Sequence, residues 1–450
     1  MPRLSPRRVR TIYASLTSRS LSAFTDDAVA STRSGPSLDG VEIVDGDSDA
    51  SGAGAICIVR QHHRYEIATR REAEAYRDAG FDVDVIMLAD PDNPNGPRTE
   101  TVEGVTLHRI PGSRTKGGAV QYLVDYLGFM VRSGAMLNKM HSNRKYQVVQ
   151  VSTLPDFLLL GVQPVRARGA KVVSFIKEPS PELGRTIYNN TKWDIPLKVF
   201  EQMAIRLADT VLTVTDELRE TLIERGAKPD RTHVVMNGGG EEHWVVGRES
   251  RPSPDPEVFT VICHGTIEHR YGHDTIVEAV ALLRDEMPEL RLTLCGEGSY
   301  SGDIKDSISA KGLDDIVTFN GFVSHDELID HICRADAGIV AQLASEYSHL
   351  VNTNKMFEYM MLGRPVIATK LRSVSTTFSD EEIEFYEAGD AASLAQAIRN
   401  LRGDPERRAS LVEAAGSAHR TRTSWAIQRE RLVTEITSLA QTSKFWDPDK

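Results

Sequence analysis

Cysteine is scarce in this chain, with four residues among 450, and no two of them form a C-x-x-C pair. This spacing argues against a zinc site built on closely spaced thiols, and the low number argues against a disulfide framework. Three of the four stand inside short apolar runs typical of core strands, so we expect buried thiols in a reducing compartment. The four are Cys57, Cys263, Cys295 and Cys333.

The chain also lacks a long apolar run and a surplus of positive charge. No segment approaches the roughly 20 apolar residues that cross a bilayer. Acidic residues outnumber lysine and arginine by 64 to 53, for a formal net charge of −11, which argues against a nucleic-acid partner. We therefore predict a cytoplasmic protein, with the inner face of the membrane as the alternative location.

The first 52 residues are rich in serine, arginine, aspartate and glycine, with little periodicity. Five arginines and no acid stand in the first 20 residues. No apolar segment follows them, so they lack the pattern of a secretory signal. We predict a disordered tail over 1–52.

From Gly54 onward the chain alternates apolar runs with amphipathic segments. The runs include GAICIV, FDVDVIML, YQVVQVS and AKVVSFI, and later VFTVICHG, LRLTLCGEG, AGIVAQL and RPVIAT. Strands that alternate with helices predict an α/β protein with mostly parallel sheets. The proline-rich segment 247–257 divides the series. We predict two Rossmann-like domains with a cleft between them, 53–246 and 258–425, and a C-terminal helix and tail over 426–450, which returns to the first domain in some proteins of this fold class.

The most informative stretch is NTNKMFEYMMLGRPVIAT, residues 352–369. It predicts a helix start, one short helix, a glycine stop and a buried strand. Lys355 and Glu358 are three positions apart, so both project from one face of the helix's first turn. Helix N-terminal amides, a lysine and a carboxylate suit a diphosphate with a ribose diol beside it. A nucleotide-sugar site is therefore the leading hypothesis.

Four loops of the second series follow predicted strands and should meet at one edge of its sheet. They are HGTIEHRYG (264–272), CGEG (295–298), NGFV (320–323) and the loop before NKMFEY. In this arrangement Arg270 and Lys355 bracket a diphosphate and stabilise the charge that develops as the glycosidic bond breaks. The alternatives are an ordinary ion pair between Lys355 and Glu358, and a surface role for Arg270.

These motifs, at this spacing, resemble those of the retaining GT-B glycosyltransferases of the sucrose-synthase/mannosyltransferase type, the family 4-like, group 1 enzymes. The resemblance runs from about Gly54 to Leu401. It implies a GT-B fold whose second domain binds a nucleoside diphosphate sugar and whose first domain binds the acceptor. It implies no metal and no cofactor apart from the donor substrate. Under it, Arg270 and Lys355 contact the diphosphate and Glu358 the ribose, while the further nucleotide-sugar residues are Gly296, Glu297, Gly298, Phe322 and Val323 near the base and Asn352, Thr353 and Asn354 near the sugar.

The sequence departs from this family's pattern at three places. Eight positions before Glu358, where the family often has a second glutamate, stands Leu350. Ser152 and Lys177 occupy positions where relatives often have histidine. Lys177 is the third catalytic candidate, since its charge can orient donor or acceptor oxygens, and a leaving phosphate that takes the acceptor's proton lessens the need for a base.

Two features of the first domain bear on the acceptor. The loop after the first strand carries Arg60, His62, His63 and Arg64, which suit an anionic acceptor or the donor phosphate, or else form a solvated polar loop. The helical segment 119–146 ends in basic residues. It either rests on a membrane surface or, the interpretation we favour, packs on the sheet.

We therefore predict a glycosyltransferase, specifically a hexosyltransferase of polysaccharide biosynthesis. It moves a sugar from a nucleotide-sugar donor to a glycan, lipid-linked or small-molecule acceptor with retention of anomeric configuration. Peripheral membrane contact remains open. The alternatives are a catalytically weakened nucleotide-sugar-binding scaffold and a sugar-nucleotide epimerase on the same fold.

Overall fold

The computed structural model describes residues 54–91, 93, 96–112, 119–188, 194–238, 244 and 250–447. The predicted tail and residues 247–249 of the predicted linker lie outside the described residues. Two separate sheets, of eight and six strands, form the described part. The fold is α/β, as predicted.

The first sheet has the strand order β3-β4-β2-β1-β5-β6-β7-β8. All its neighbouring pairs are parallel except β3 and β4, which are antiparallel. Its central strands are continuous apolar runs because helices cover both faces of a parallel sheet. The strands are β1 Gly54–Arg60, β2 Phe81–Leu88, β3 Thr99–Val102, β4 Val105–Ile110, β5 Val148–Ser152, β6 Lys171–Ile176, β7 Thr210–Thr213 and β8 Thr232–Val234.

In the described part between residues 67 and 224, six helices accompany this sheet. The longest, α2, buries Phe129, Leu137 and Met140 in the core on one face and exposes Val124 and Val131 on the other. This packing agrees with the interpretation of 119–146 as a helix on the sheet. The helices are α1 Ile67–Asp78, α2 Ala119–Arg144, α3 Leu158–Ala167, α4 Ser180–Tyr188, α5 Asp194–Leu207 and α6 Asp216–Glu224.

The second sheet is entirely parallel, in the order β11-β10-β9-β12-β13-β14. Its strands are β9 Phe259–His264, β10 Leu290–Cys295, β11 Val317–Gly321, β12 Ala337–Val340, β13 Val366–Thr369 and β14 Glu384–Tyr386. Its helices are α7 His273–Leu283, α8 Ser301–Ala310, α9 His325–Arg334, α10 Asn354–Met361, α11 Arg372–Ser375, α12 Ala391–Gly403 and α13 Pro405–Ala418.

Helix α10 is the short helix expected after Asn352. It starts behind Thr353, whose backbone is extended, and the chain turns at Gly363 with a φ of +65°, which suits glycine because it has no Cβ. The helix lies tightly against β12, since a Cβ at Gly338 would lie 2.3 Å from the ring of Tyr359. The predicted glycine stop is confirmed.

The last helix, α14 Trp425–Gln441, packs on the first domain although it follows the second. Its apolar face contributes Leu432, Ile436 and Ala440 to the core cluster of the first sheet. Gln428 is fully buried and its Oε1 accepts a hydrogen bond from the Met236 amide at 2.9 Å. The chain therefore crosses back and ties the two domains together at that side of the cleft.

Several elements have no counterpart in the predicted pattern. Strands β8 and β14 have three residues each, too short for a periodic signal, and β3 reads TETV, with only one apolar residue. Strand β12 ends at Val340 rather than at Leu343, because Ala341–Leu343 turn away to contact the loop after β9. Of the helices in the described part, none is long and apolar enough to cross a membrane.

Candidate functional site

The four loops predicted to meet at one edge of the second sheet do meet there. The Gly265 amide donates to the Cys295 carbonyl at 2.8 Å, and the Gly296 amide donates to the Gly321 carbonyl at 2.6 Å. The Leu343 amide donates to the Arg270 carbonyl at 3.0 Å. The four loops thus form one hydrogen-bonded layer at the carboxyl ends of the strands.

Glycine is required where these loops touch. Gly296 has a φ of +141°, and a Cβ there would lie 1.8 Å from the Gly265 carbonyl oxygen. A Cβ at Gly298 would lie 2.0 Å from the Ile267 carbonyl oxygen. The glycines of CGEG therefore allow two backbones to pack directly against each other.

Arg270 and Lys355 both lie close to the aromatic ring of Tyr271. The Arg270 Cζ is 4.8 Å and the Lys355 Nζ 5.2 Å from the centroid of the Tyr271 ring. No described carboxylate lies within 4 Å of either cation. Arg270 Nε is buried and has no hydrogen-bond partner among the described residues. Two cations beside one ring, with no described carboxylate at ion-pair distance, are suited to binding an anion such as a diphosphate.

Glu358 does not pair with Lys355, so the alternative of a simple ion pair within the helix is wrong. Its Oε2 lies 3.1 Å from Nε2 of His264, the last residue of β9. His264 was not singled out from the sequence, because nothing in its local pattern separates it from a core residue. His264 lies beside the carboxylate that is predicted to bind ribose. Only Oε2 of that carboxylate lies near His264, so Oε1 is available to accept a hydrogen bond.

The residues assigned to the base and sugar ends of the donor belong to the loops of the second sheet and to the start of α10. Phe322 is 82% exposed, the most exposed large apolar side chain described, and it stands with Val323 directly after β11. Glu297 is 3.7 Å from Lys305 on α8. Asn352 is buried with both side-chain polar atoms lacking partners in the described part, and Thr353 Oγ1 is likewise unpaired. Asn354 is exposed at the start of α10.

Lys177, the third catalytic candidate, is held by a carboxylate that sequence reasoning missed. Its Nζ forms an ion pair with Glu72 of α1, and the two side chains are 10% and 4% exposed. Burial lowers the pKa of Lys177, and the charge of Glu72 opposes that effect. Gln150 donates to the other Glu72 oxygen at 2.6 Å. The position of Lys177 is thus fixed by Glu72, and Ser152 is fully buried.

The basic loop after β1 is partly neutralised. Glu66 lies 2.5 Å from Arg60 Nη2 and 2.8 Å from His62 Nε2. Burial favours a neutral Glu66, but the hydrogen bond from His62 and the charge of Arg60 outweigh it and lower the pKa of Glu66 to about 2. His63 stacks on His62 with ring centroids 4.7 Å apart, and Arg64 is exposed. A free cluster of four positive groups is therefore not present.

Leu350 belongs to the contact between the domains. Together with Tyr347 and Val351 it joins the core cluster of the first sheet, although all three come from the loop after β12. The Leu350 carbonyl accepts a hydrogen bond from Thr215 Oγ1, at the start of α6. A 4% exposed side chain at 350 anchors the second domain on the first, which accounts physically for an apolar residue at this position.

Profiles of two glycosyltransferase domains match this chain. Residues 65–238 match the glycosyl transferase 4-like domain, and residues 258–404 match glycosyl transferases group 1. The chain belongs to this family: it is a glycosyltransferase with the GT-B fold.

Individual relatives agree with this assignment. A D-inositol 3-phosphate glycosyltransferase of Pseudarthrobacter chlorophenolicus is 24% identical over 367 residues, covering 77% of this chain and 83% of the relative. An alpha-D-kanosaminyltransferase of Streptomyces kanamyceticus is 26% identical over 48% of this chain, and the match spans 56% of that relative. Sucrose-phosphate synthase from Thermosynechococcus elongatus has the same fold, with a TM-score of 0.71 at 19% identity over 86% of this chain and 99% of that structure.

Proposed function

We propose that this glycosyltransferase moves a hexosyl group from a nucleoside diphosphate sugar to a hydroxyl acceptor with retention of configuration. The observation that carries the donor assignment is the pair of cations, Arg270 and Lys355, which share the Tyr271 ring and have no described carboxylate beside them. A diphosphate between them satisfies both charges without a metal ion. Among the described residues there is no group of three side chains suited to holding a metal.

The remaining groups orient the donor around the diphosphate. Glu358, which lies 3.1 Å from His264, accepts hydrogen bonds from the ribose hydroxyls, and the exposed Phe322 offers a face on which a base can stack. The unpaired polar atoms of Asn352 and Thr353 stand ahead of the α10 N-terminus, where they and the free helix amides meet the phosphate and sugar oxygens. The sugar then points toward the first domain.

The chemistry follows from where charge develops. As the bond between the anomeric carbon and the phosphate oxygen breaks, negative charge grows on the leaving diphosphate, and Arg270 and Lys355 stabilise it. Lys177 is paired with Glu72, so in this proposal it orients donor or acceptor oxygens rather than removing a proton. The leaving phosphate on the same face of the sugar accepts the proton of the acceptor hydroxyl.

The acceptor is a glycan, a lipid-linked sugar or a small molecule bound by the first domain. The names of two relatives, D-inositol 3-phosphate glycosyltransferase and 2-deoxystreptamine glucosyltransferase, place small polyols in the panel to be tested. The exposed Val124 and Val131 of α2 are the reason to include a membrane-bound acceptor in the panel as well. Each class of acceptor is tested in the same experiment.

The test is release of nucleoside diphosphate from UDP-, ADP- and GDP-hexoses, with and without sugar acceptors, polyols and membrane extract. Lys355→Ala should lower kcat/KM about 100-fold or more, because a charge-assisted contact that strengthens in the transition state is lost. Lys370→Ala is the matched control, since Lys370 lies 5.6 Å from the Phe385 ring at the surface of the same domain. Wild-type protein that binds no nucleotide, or equal losses in both variants, would refute the proposal.

A further inference from the structure

The loop between β12 and α10 connects the two cations of the proposed donor site. Near its start the Leu343 amide donates a hydrogen bond to the Arg270 carbonyl at 3.0 Å. At its end the loop leads into α10, and Lys355 is the second residue of that helix. The position of Lys355 relative to Arg270 therefore depends on the shape of this loop.

The middle of the loop is buried in the first domain. Tyr347, Leu350 and Val351 join the core cluster of the first sheet. The Leu350 carbonyl accepts a hydrogen bond from Thr215 Oγ1, the residue that precedes α6. Both residues are buried, where an unpaired carbonyl is costly. The first domain therefore fixes the loop just ahead of α10.

Internal hydrogen bonds make this loop rigid. The Ser345 amide donates to Ser348 Oγ at 2.8 Å, and the Ser348 amide donates to Ser345 Oγ at 3.0 Å. Ser373 Oγ of α11 lies 3.2 Å from the carbonyl oxygens of Ser348 and Val351. A displacement of Leu350 is therefore passed on to α10 rather than absorbed within the loop.

Helix α11, which holds this loop, is itself attached to the first domain. The hydroxyl of Thr376, directly after α11, donates a hydrogen bond to Oε1 of the buried Glu217 in α6. The ion pair between Arg185 and Glu346 lies at the rim of the contact, since the Glu346 side chain is 66% exposed, and exposed pairs contribute little. The start of α6 thus holds the loop directly through Thr215 and indirectly through α11.

We propose that Thr215 is a positioning residue for the donor diphosphate: its hydrogen bond to the Leu350 carbonyl fixes Lys355 at the spacing from Arg270 that a diphosphate requires. The proposal rests on the donor site proposed above, and it adds a first-domain residue that is not one of the donor-binding groups. Two cations serve one diphosphate only when both reach its oxygens, so a misplacement of about 1 Å is costly. Coupling between two sites is reciprocal, so bound nucleotide in turn stabilises the contact between the loop and Thr215.

The test compares affinities for the tightest-binding of UDP, ADP and GDP, measured by titration calorimetry. Thr215→Val keeps the shape of the side chain but leaves the Leu350 carbonyl unpaired. It should raise Kd about tenfold, the cost of one buried hydrogen bond. Thr215→Ser restores the hydroxyl and should bind within about threefold of the wild type.

The control separates positioning from stability. Thr215 Oγ1 also accepts a hydrogen bond from the Leu218 amide at 3.1 Å and so caps α6, and Thr215→Val loses this cap as well. Asp390→Ala removes the cap of α12 in the second domain, where Asp390 Oδ1 accepts from the Ser393 amide at 3.0 Å. It should lower the urea midpoint, as Thr215→Val does, but bind the nucleotide as the wild type does.

A second variant reaches the same loop from its other side. Thr376→Ala removes the hydroxyl that ties α11 to Glu217 and should raise Kd about threefold, since α11 acts on the loop indirectly. Glu346→Gln removes only the exposed ion pair with Arg185 and should leave Kd unchanged. If Thr215→Val does not fold, Thr376→Ala decides the question, because a Kd equal to that of the wild type overturns the proposal.

Hydrogen exchange gives the reciprocal measurement. In the wild type, bound nucleotide should slow amide exchange in α6 several-fold, although α6 belongs to the other domain. The nucleotide should have no such effect in Thr215→Val, where the hydroxyl that links α6 to the loop is missing. Exchange in α6 that ignores the nucleotide in the wild type would contradict the coupling.

The outcomes are distinguishable. Equal affinities of the wild type and Thr215→Val, a serine variant that binds as weakly as the valine variant, or an equal loss in Asp390→Ala would overturn this proposal and leave the donor site intact. Wild-type protein that binds none of the three nucleotides would instead overturn the proposed donor site itself. A loss of affinity that follows the hydroxyl at position 215 and spares the control supports the positioning role.

Discussion

The ion pair between Lys177 and Glu72 offers a sharp test of the site, because it lies deep in the cleft wall. We consider Glu72→Gln, which keeps the shape of the side chain and removes its charge. Lys177 is then left 10% exposed without its counter-ion, beside the positive charges of Arg60 and Arg71. Removing one partner of a buried pair costs about 3–5 kcal/mol of folding free energy.

The lysine itself limits this cost. Because Lys177 can release its proton, the penalty at pH 7 cannot exceed the free energy of deprotonating an ordinary lysine, about 5 kcal/mol. Burial already lowers the pKa of Lys177 in the folded protein, so the unfolded chain binds more protons in the window between the folded and unfolded pKa values. Stability therefore rises with pH in that window. By pH 9 the limit falls to about 2 kcal/mol.

The assay is urea unfolding of wild type and Glu72→Gln between pH 7 and 9. The control is Glu74→Gln on the same helix, because Glu74 pairs with Arg70 at 2.6 Å but both side chains are more exposed, and it should cost below about 1 kcal/mol. The double variant Glu72→Gln with Lys177→Met should regain most of the stability and none of the transferase activity. A loss under about 1 kcal/mol at pH 7, or one that does not change with pH, would refute the reasoning.

Two further predictions concern the loops and the domain contact. Gly296→Ala should abolish nucleotide binding, measured by titration calorimetry with UDP, because the new Cβ meets the Gly265 carbonyl at 1.8 Å. The control Gly302→Ala, where nothing lies within 4 Å of the new Cβ, should bind UDP as the wild type does. Equal UDP affinities of the two variants would contradict the packing of the loops. Leu350→Ala should lower the free energy of unfolding by about 2–5 kcal/mol, seen as a lower urea midpoint, and an unchanged midpoint would mean that Leu350 does not anchor the domains.

The sequence predicted most of the architecture because its central strands are long apolar runs. GAICIV and FDVDVIML are both recovered as neighbouring parallel strands, since only a strand buried on both faces tolerates such a run. The short edge strands β8 and β14 escaped prediction because three residues do not establish a period. The turn after α10 was predictable because Gly363 is a chemical signal in the chain itself.

The site, like the fold, has parts that the sequence predicts and parts that it does not. Residues in loops that follow parallel strands could be grouped from the sequence, because all such loops meet at one edge of the sheet. Side-chain partners could not be, since Lys177 and Glu72 are 105 positions apart and His264 and Glu358 come from different elements. The sequence suggested that Glu358 and Lys355 are neighbours, but His264 is the partner of the carboxylate.

The sequence by itself determined the fold class, the two domains and the loops that carry the proposed donor site, because hydrophobic period and glycine positions are properties of short segments. Only the tertiary structure decided what each charged residue does. Lys177 can act as a base or as a fixed charge, and the side chain at position 350 can face a sugar or a domain contact. Which of these applies depends on the distant groups that the fold brings beside each residue and on how much water stays in contact with it. Those are consequences of packing between segments, and no single segment records them.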